Sequence, residues 1–132
     1  MTWNFVDRDL AEAAHREQLR RHGGGQGLRD ANALESALDR PRNKAAYGDP
    51  DVFELAAAYL FGMAKNHPFV DGNKRTALVV CGVFLLDNGY ALTANDNLVY
   101  ELVMGVAAGE IDEDGARRFL HDHTVPIADL QP

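Results

Sequence analysis

Cysteine is almost absent from this sequence, since Cys81 is the only one in 132 residues. A single thiol cannot form an intrachain disulfide, so a reducing cytoplasm is the simpler location. The chain also lacks the apolar stretch of about 18 residues that a membrane helix needs. Its N-terminal segment has no apolar signal-peptide core. We therefore expect a soluble, cytoplasmic protein with no membrane contact.

Positive charge is in short supply. Thirteen lysines and arginines stand against twenty aspartates and glutamates, which gives a formal net charge of −7. Extensive nucleic-acid binding depends on neutralising many phosphates, so we expect no direct nucleic-acid partner, although a small local basic site remains compatible with this balance. The length and the 46% hydrophobic content favour one domain over residues 1–132, with a tail from about residue 124.

Sustained alternation of apolar and polar residues is missing as well, so we predict an all-α fold, a helical bundle around a central buried helix. Caps and periodicity predict helices over about 7–22, 30–38, 51–66, 73–88, 95–109 and 112–121, where the third begins at Asp49 or Asp51 and the fifth is capped by Asn95 or Asp96. Thr76 to Leu86 is apolar nearly all round, which favours the fourth helix as the central one. Tyr90 to Leu92 is expected to be a short extended link.

The first helix has Leu10, Ala13, Ala14 and Leu19 as its predicted apolar side. The glycines from Gly23 to Gly27 that follow are read as a flexible connection. A phosphate-binding loop is the less favoured alternative, because the segment follows a helix and lacks the Gly-Lys-Ser/Thr ending of a P-loop.

Pro41 is expected to end the second helix near Leu38, because proline interrupts helical hydrogen bonding. The following link, residues 39–50, is long for a helix connection and carries Arg40, Arg42 and Lys44. It is interpreted as either a solvated loop or a functional segment with a small β-hairpin.

The stretch from His67 to Arg75 concentrates polar chemistry. It contains a possible base, a carboxylate, an amide and two cations: His67, Asp71, Asn73, Lys74 and Arg75. Pro68 and Gly72 mark irregular backbone that leads into a helix N-terminus, where free N–H groups favour phosphate. Phe69 is expected to be buried and to anchor the loop. Base, magnesium carboxylate and anion donors are what phosphoryl transfer requires, although each residue alone has an ordinary structural explanation.

These residues resemble the signature of the Fic/Doc family, in which a histidine and a phenylalanine are followed by an acidic residue, glycine or alanine, asparagine and a basic turn. The resemblance covers most of the chain. It implies an all-α Fic fold that binds ATP with Mg²⁺, a motif histidine that activates a target hydroxyl, and a short flap that aligns the target segment.

Two departures favour the Doc, or death-on-curing, branch of toxin–antitoxin toxins. Adenylyl-transferring members have a second glycine and a further arginine where this sequence has Lys74 and Leu78. Doc-like toxins transfer the γ-phosphoryl group of ATP to a hydroxyl of elongation factor Tu and so inhibit translation. Pro68 and Gly72 are closer to the Fic pattern, so adenylyl transfer remains an alternative, as does an inactive Fic-fold binding module.

Residue by residue, the resemblance implies that His67 deprotonates a Ser or Thr hydroxyl and that Asp71 holds Mg²⁺. The phosphates are held by the Gly72 backbone and by the next three residues, Asn73, Lys74 and Arg75. The target flap corresponds to residues 40–47, with Arg40, Arg42, Lys44 and Tyr47.

A separate antitoxin is expected because no glutamate here is followed by Gly or Asn, as in the inhibitory helix of Fic-type members. Its C-terminal segment is expected to cover the site. Basic residues are the candidates for contacting it, with plain surface charge as the alternative reading: Arg40, Arg42, Lys44 and Lys65.

Overall fold

The structure is a computed structural model that describes residues 2–130. Within that range the chain forms six α-helices, two short strands and a final 3₁₀ turn. In chain order these are α1 (Arg8–His22), α2 (Ala31–Tyr47), α3 (Val52–Asn66), α4 (Asn73–Asp87), β1 (Tyr90–Leu92), α5 (Asp96–Ala107), α6 (Glu113–Asp122), β2 (Thr124–Pro126) and the turn Ile127–Leu130. The predicted all-α class is confirmed. No helix in this range is long and apolar enough to cross a membrane.

Five of the six helices in the described range begin in the same way. The side chain of an Asp or Asn accepts a hydrogen bond from a backbone N–H three residues further on, at Asp7, Asp30, Asp51, Asn95 and Asp112. Such a cap satisfies one of the free N–H groups of a helix N-terminus. The exception is α4, which begins after Gly72 and has no side-chain cap. Its first N–H groups therefore remain available to another acceptor.

The second helix continues through Pro41 to Tyr47, so the predicted end near Leu38 and the predicted hairpin in residues 39–50 are wrong. A proline inside a helix costs about 3 kcal/mol. Burial offsets this cost, because the Pro41 ring lies on the buried face of α2, which packs on α3. On that face Ala37 lies against Gly62 of α3.

The central helix is α3 rather than α4, which corrects the expectation from the sequence. Ten of the fifteen α3 residues are buried, and α3 contacts α2, α4, α5 and α6. Small residues such as Ala57 and Gly62 let neighbouring helices approach it on several sides. On α4 only six residues are buried, and Leu86 is 53% exposed. The loop that begins at His67 thus joins two packed helices, α3 and α4.

The predicted tail is structured as far as Leu130. β2 pairs antiparallel with β1, so that Ala91 lies opposite Val125. Residues 131 and 132 lie outside the described range. On α1 the buried face also differs from the prediction, since it consists of Ala11, Ala14 and His15, whereas Leu10 is 39% exposed.

Candidate active site

The loop that joins α3 to α4 begins at His67 with an unusual backbone conformation. His67 is the C-cap of α3 in the left-handed region, φ 48° and ψ 57°, and is the only residue other than glycine with positive φ in the described range. A non-glycine residue in this region costs about 1 kcal/mol or more and persists only where the surroundings hold it. The His67 side chain is exposed at the end of the helix.

Arg29 holds this strained end of α3. Its Nε donates to the carbonyl oxygen of His67 at 2.6 Å, and its Nη2 donates to the carbonyl oxygen of Asn66 at 2.8 Å. The last carbonyls of a helix have no partner within the helix, and a cation there also interacts favourably with the helix dipole. One guanidinium therefore fixes the two peptide groups that orient His67.

Phe69 anchors the loop as predicted, since it is 1% exposed and belongs to the hydrophobic core. Asn73 binds the backbone of Phe69 twice: the Phe69 N–H donates to Asn73 Oδ1 at 2.9 Å, and Asn73 Nδ2 donates to the Phe69 carbonyl at 2.9 Å. The carboxamide of Asn73 is thereby engaged in holding the loop against the first turn of α4.

The glycine-rich segment before α2 lies along the motif loop, so it is more than the flexible connection expected from the sequence. Leu28 and Phe69 form an antiparallel β-bridge. Beside it the Val70 N–H donates to the Gly27 carbonyl at 3.0 Å and the Arg29 N–H to the Pro68 carbonyl at 2.8 Å. These bonds tie the loop to a segment some forty residues earlier in the chain.

The Asp71 carboxylate lies between this segment and α4. Its Oδ1 accepts from the N–H of Gly72 at 2.9 Å, and its Oδ2 accepts from the N–H of Gly25 at 3.3 Å. Gly24 approaches so closely that a Cβ there would stand 2.8 Å from Asp71 Oδ2. The carboxylate is exposed, which leaves its remaining lone pairs open to a ligand.

His15 reaches the same loop from α1. It is 4% exposed, and its Nε2 lies 2.8 Å from the carbonyl oxygen of Asp71. Its ring stacks on the ring of Phe69 with 3.8 Å between centroids and 6° between planes. Sequence reasoning missed this residue; the signal that could have found it is its spacing from Ala11 and Ala14 on one face of α1.

The N-terminus of α4 has the features of an anion site. Besides lacking a side-chain cap, it has no acidic residue in its first turn, and Lys74 and Arg75 lie there instead. An open cavity of about 330 Å³ lies over this end of the helix and is also lined by His67 and Tyr100. The Arg75 guanidinium carbon lies 5.4 Å from the centre of the Tyr100 ring, which places a cation and an aromatic ring at the cavity edge.

The comparisons with known proteins agree with this geometry. The model of the Fic/DOC family matches residues 5–85, which include α1 to α3, the whole loop and α4 as far as Leu85. The chain belongs to the Fic/Doc family. It is 38% identical over 100 residues to "Protein kinase doc" of Escherichia phage P1, covering 75% of this chain and 79% of the relative. It is also 38% identical over 97 residues to "Toxin Doc" of Mycolicibacterium smegmatis, covering 70% and 74%.

The predicted motif residues of this Fic/Doc chain meet around a single cavity. Its lining includes His67, Asp71, Gly72, Asn73, Lys74 and Arg75. These residues come together because nine consecutive positions, from His67 to Arg75, carry all of them on one loop and one helical turn. Arg29 and Tyr100, which also contact the site, gave no signal in the sequence because they reach it from distant segments, and the segment that contains Gly25 was interpreted as a connection.

The predicted flap residues lie elsewhere. Arg40 and Lys44 pair with Glu113 at the start of α6, and Lys44 also lies 4.0 Å from Glu54 in the first turn of α3, the end opposite His67. Arg42 lies over the ring of Phe5, 4.8 Å from its centre. The fold therefore does not bring these residues or the exposed Tyr47 to the motif loop.

Proposed function

We propose that the chain is a single Fic/Doc domain that acts in the cytoplasm as the toxin of a toxin–antitoxin pair. It transfers the γ-phosphoryl group of ATP to a Ser or Thr hydroxyl of elongation factor Tu and thereby inhibits translation. The observation that carries the proposal is the uncapped, basic N-terminus of α4 with His67 fixed beside it. The names of the two Doc relatives, a protein kinase and a toxin, support the same reading.

His67 is proposed to take the proton of the target hydroxyl. Within residues 2–130 its imidazole makes no hydrogen bond, whereas its backbone is held through Arg29. A base that is free at its ring and fixed at its backbone can accept a proton without first breaking another bond. The hydroxyl oxygen then attacks phosphorus, the bond to the ADP oxygen breaks, and ADP leaves with that electron pair.

Asp71 is proposed to hold Mg²⁺. Its exposed carboxylate, next to an anion site, is the donor set that this ion takes from proteins, one or two carboxylates completed by phosphate oxygens and water. When bound, Mg²⁺ neutralises developing phosphate charge. The Gly72 and Gly25 N–H groups orient the carboxylate for this purpose.

The phosphates are proposed to bind the free N–H groups at the start of α4, together with the side chains of Lys74 and Arg75. Asn73 contributes its backbone there, while its side chain keeps the turn in shape through Phe69. Lys74 takes the place of a glycine in the adenylyl-transferring members. Its long cationic side chain supports γ-phosphoryl transfer over adenylyl transfer.

The target segment is proposed to pair with the glycine-rich segment instead of residues 40–47. Because Gly27 and Arg29 carry the bonds to the motif loop, the N–H and C=O groups of Leu28 point to the opposite edge. That edge borders a cleft of about 790 Å³ that is also lined by Gln26. An added strand would be aligned by backbone hydrogen bonds two residues from His67.

The antitoxin is proposed to cover the site with its C-terminal segment. Of the four basic residues considered for this contact, Arg40 and Lys44 are already paired with Glu113. Lys65 is exposed, lies in the last turn of α3 next to His67, and forms no ion pair within residues 2–130. Of these four residues, Lys65 is therefore the proposed contact for an acidic antitoxin segment.

The function is tested by incubating elongation factor Tu with the protein and ATP labelled at either the γ or the α position. We expect label from γ only and a mass increase of one phosphoryl group. Label from α only would overturn the kinase proposal in favour of adenylyl transfer.

The matched variants are His67→Ala and His121→Ala, the latter on the exposed side of α6. We expect growth arrest and transfer to be lost only in His67→Ala. Undiminished arrest in that variant would exclude the proposed base.

A further inference from the structure

The peptide group between Asp71 and Gly72 is held on both of its polar sides. Its carbonyl oxygen lies 2.8 Å from Nε2 of His15, and its N–H donates to Oδ1 of Asp71 at 2.9 Å. In a planar trans peptide these two groups point in opposite directions. The two bonds together therefore fix the rotation of the peptide plane.

His15 must supply the proton of the first bond. A carbonyl oxygen only accepts, so the Nε2 nitrogen carries hydrogen. The imidazole is 4% exposed and stacks flat on the buried Phe69 ring, so it cannot turn away without opening the contact between α1 and the loop. It is a rigid donor aimed at one atom of the motif.

The residue that follows this peptide is the one most able to let it rotate. Gly72 has φ 79° and ψ 16°, and glycine occupies several backbone regions at little cost. If the plane turned over, the Asp71 carbonyl oxygen would face its own carboxylate, and repulsion would displace that carboxylate. The turn would also remove the N–H that orients Oδ1.

We propose that His15 is a positioning residue of the active site. By holding the Asp71 carbonyl toward α1, it keeps the Gly72 N–H on the carboxylate and so fixes the direction in which Asp71 presents its oxygens. This inference rests on the proposed function in that Asp71 is taken as the magnesium residue. It adds a side chain from α1, fifty-six positions before Asp71, to the apparatus of the site.

Two variants separate the donor from the ring. His15→Phe retains a flat ring against Phe69 but has no N–H, whereas His15→Gln places an amide N–H near the position of Nε2 without a ring. In His15→Phe we expect a shifted Gly72 amide resonance in the nucleotide-free protein. We also expect the Mg²⁺ concentration for half-maximal transfer to rise about tenfold or more, as for other groups that orient a metal ligand.

In His15→Gln we expect both values to move back toward the wild type. If His15 had a purely structural role, the order would be reversed, and both values would depart further from the wild type in His15→Gln than in His15→Phe. That order, or an unchanged Gly72 amide resonance in His15→Phe, would overturn the proposal.

One measurement needs no variant and no ATP. Nitrogen NMR of the wild-type protein should show His15 with its proton on Nε2, and an imidazole protonated only on Nδ1 would overturn the proposal even if His15→Phe failed to fold. Failure of the proposed function would be recognised separately, as absence of label transfer by the wild-type protein.

Discussion

Replacing Arg29 with alanine should release the strained end of α3. The substitution removes two hydrogen bonds from a cation, 2.6 and 2.8 Å long, to the carbonyls of His67 and Asn66. Bonds of this kind contribute about 1.5–3 kcal/mol each where water is excluded. Because Arg29 is exposed, hydrogen bonds to water replace part of this contribution. We therefore expect the free energy of unfolding to fall by about 2 kcal/mol when both bonds are lost.

The assay is thermal unfolding followed by circular dichroism. In a domain of this size 1 kcal/mol corresponds to about 4 °C in the unfolding midpoint, so Arg29→Ala should unfold about 8 °C lower. Arg29→Lys keeps the charge but loses the planar fork of the guanidinium, so its unfolding midpoint should lie between those of Arg29→Ala and the wild type.

Arg29→Ala should also lower transfer activity, and by more than the unfolded fraction of the variant accounts for. At a temperature where Arg29→Ala is folded, His67 can leave the left-handed conformation, and misplacement of a reacting group lowers kcat by about tenfold to a hundredfold. The KM for ATP should change little, because the N-terminus of α4 is untouched.

Arg118→Ala is the matched control for Arg29→Ala. Arg118 is an exposed arginine of α6 that pairs with Asp114 one turn away. Such surface pairs contribute little, so its midpoint should stay within about 2 °C of the wild type. If Arg29→Ala unfolded no earlier than Arg118→Ala and kept full kcat, the reasoning about His67 would be refuted.

Three further predictions concern other parts of the chain. Burial raises the pKa of the Cys81 thiol to about 12, so a thiol reagent at mildly alkaline pH should label it only in denaturant, and fast native labelling would contradict its burial. Hydrogen bonds from Arg20 and then Arg21 lower the pKa of Glu17 from 4.5 to about 2. Its stabilising contribution is therefore present above about pH 4.5 and is lost as the pH falls toward 2. Glu17→Gln should accordingly lower the unfolding midpoint at neutral pH but not near pH 2, and an equal loss at both would refute the assignment. Gly24→Ala should raise the Mg²⁺ concentration for half-maximal transfer more than Gly23→Ala does, because both glycines have positive φ but only a Cβ at Gly24 meets the carboxylate of Asp71. Equal effects would exclude that contact.

Helix starts could be predicted from the sequence because their cause is local. The caps at Asp7, Asp51 and Asp112 bind N–H groups three residues away, so the pattern of one short segment determines each of them. The motif loop was predictable for a similar reason, since the chemistry from His67 to Arg75 is contiguous.

The errors occurred where distant packing decides the structure. Pro41 is a helix breaker by its local chemistry, yet its buried ring on the α3-facing side of α2 keeps that helix intact. The apolar pattern of α4 suggested the central helix, but the small residues of α3 allow closer packing on more sides. Neither effect can be seen in a single segment.

The same distinction explains which parts of the candidate active site escaped prediction. The motif supplies the proposed reacting groups, but its backbone includes His67 in the left-handed region, a conformation that costs free energy in a residue other than glycine. Arg29 holds that residue and the glycine-rich segment holds the rest of the loop, and both reach it from about forty positions earlier. A motif of this kind identifies the chemistry, whereas its geometry depends on the region before α2. Substitutions in that region should therefore impair the site even though none of them alters the motif.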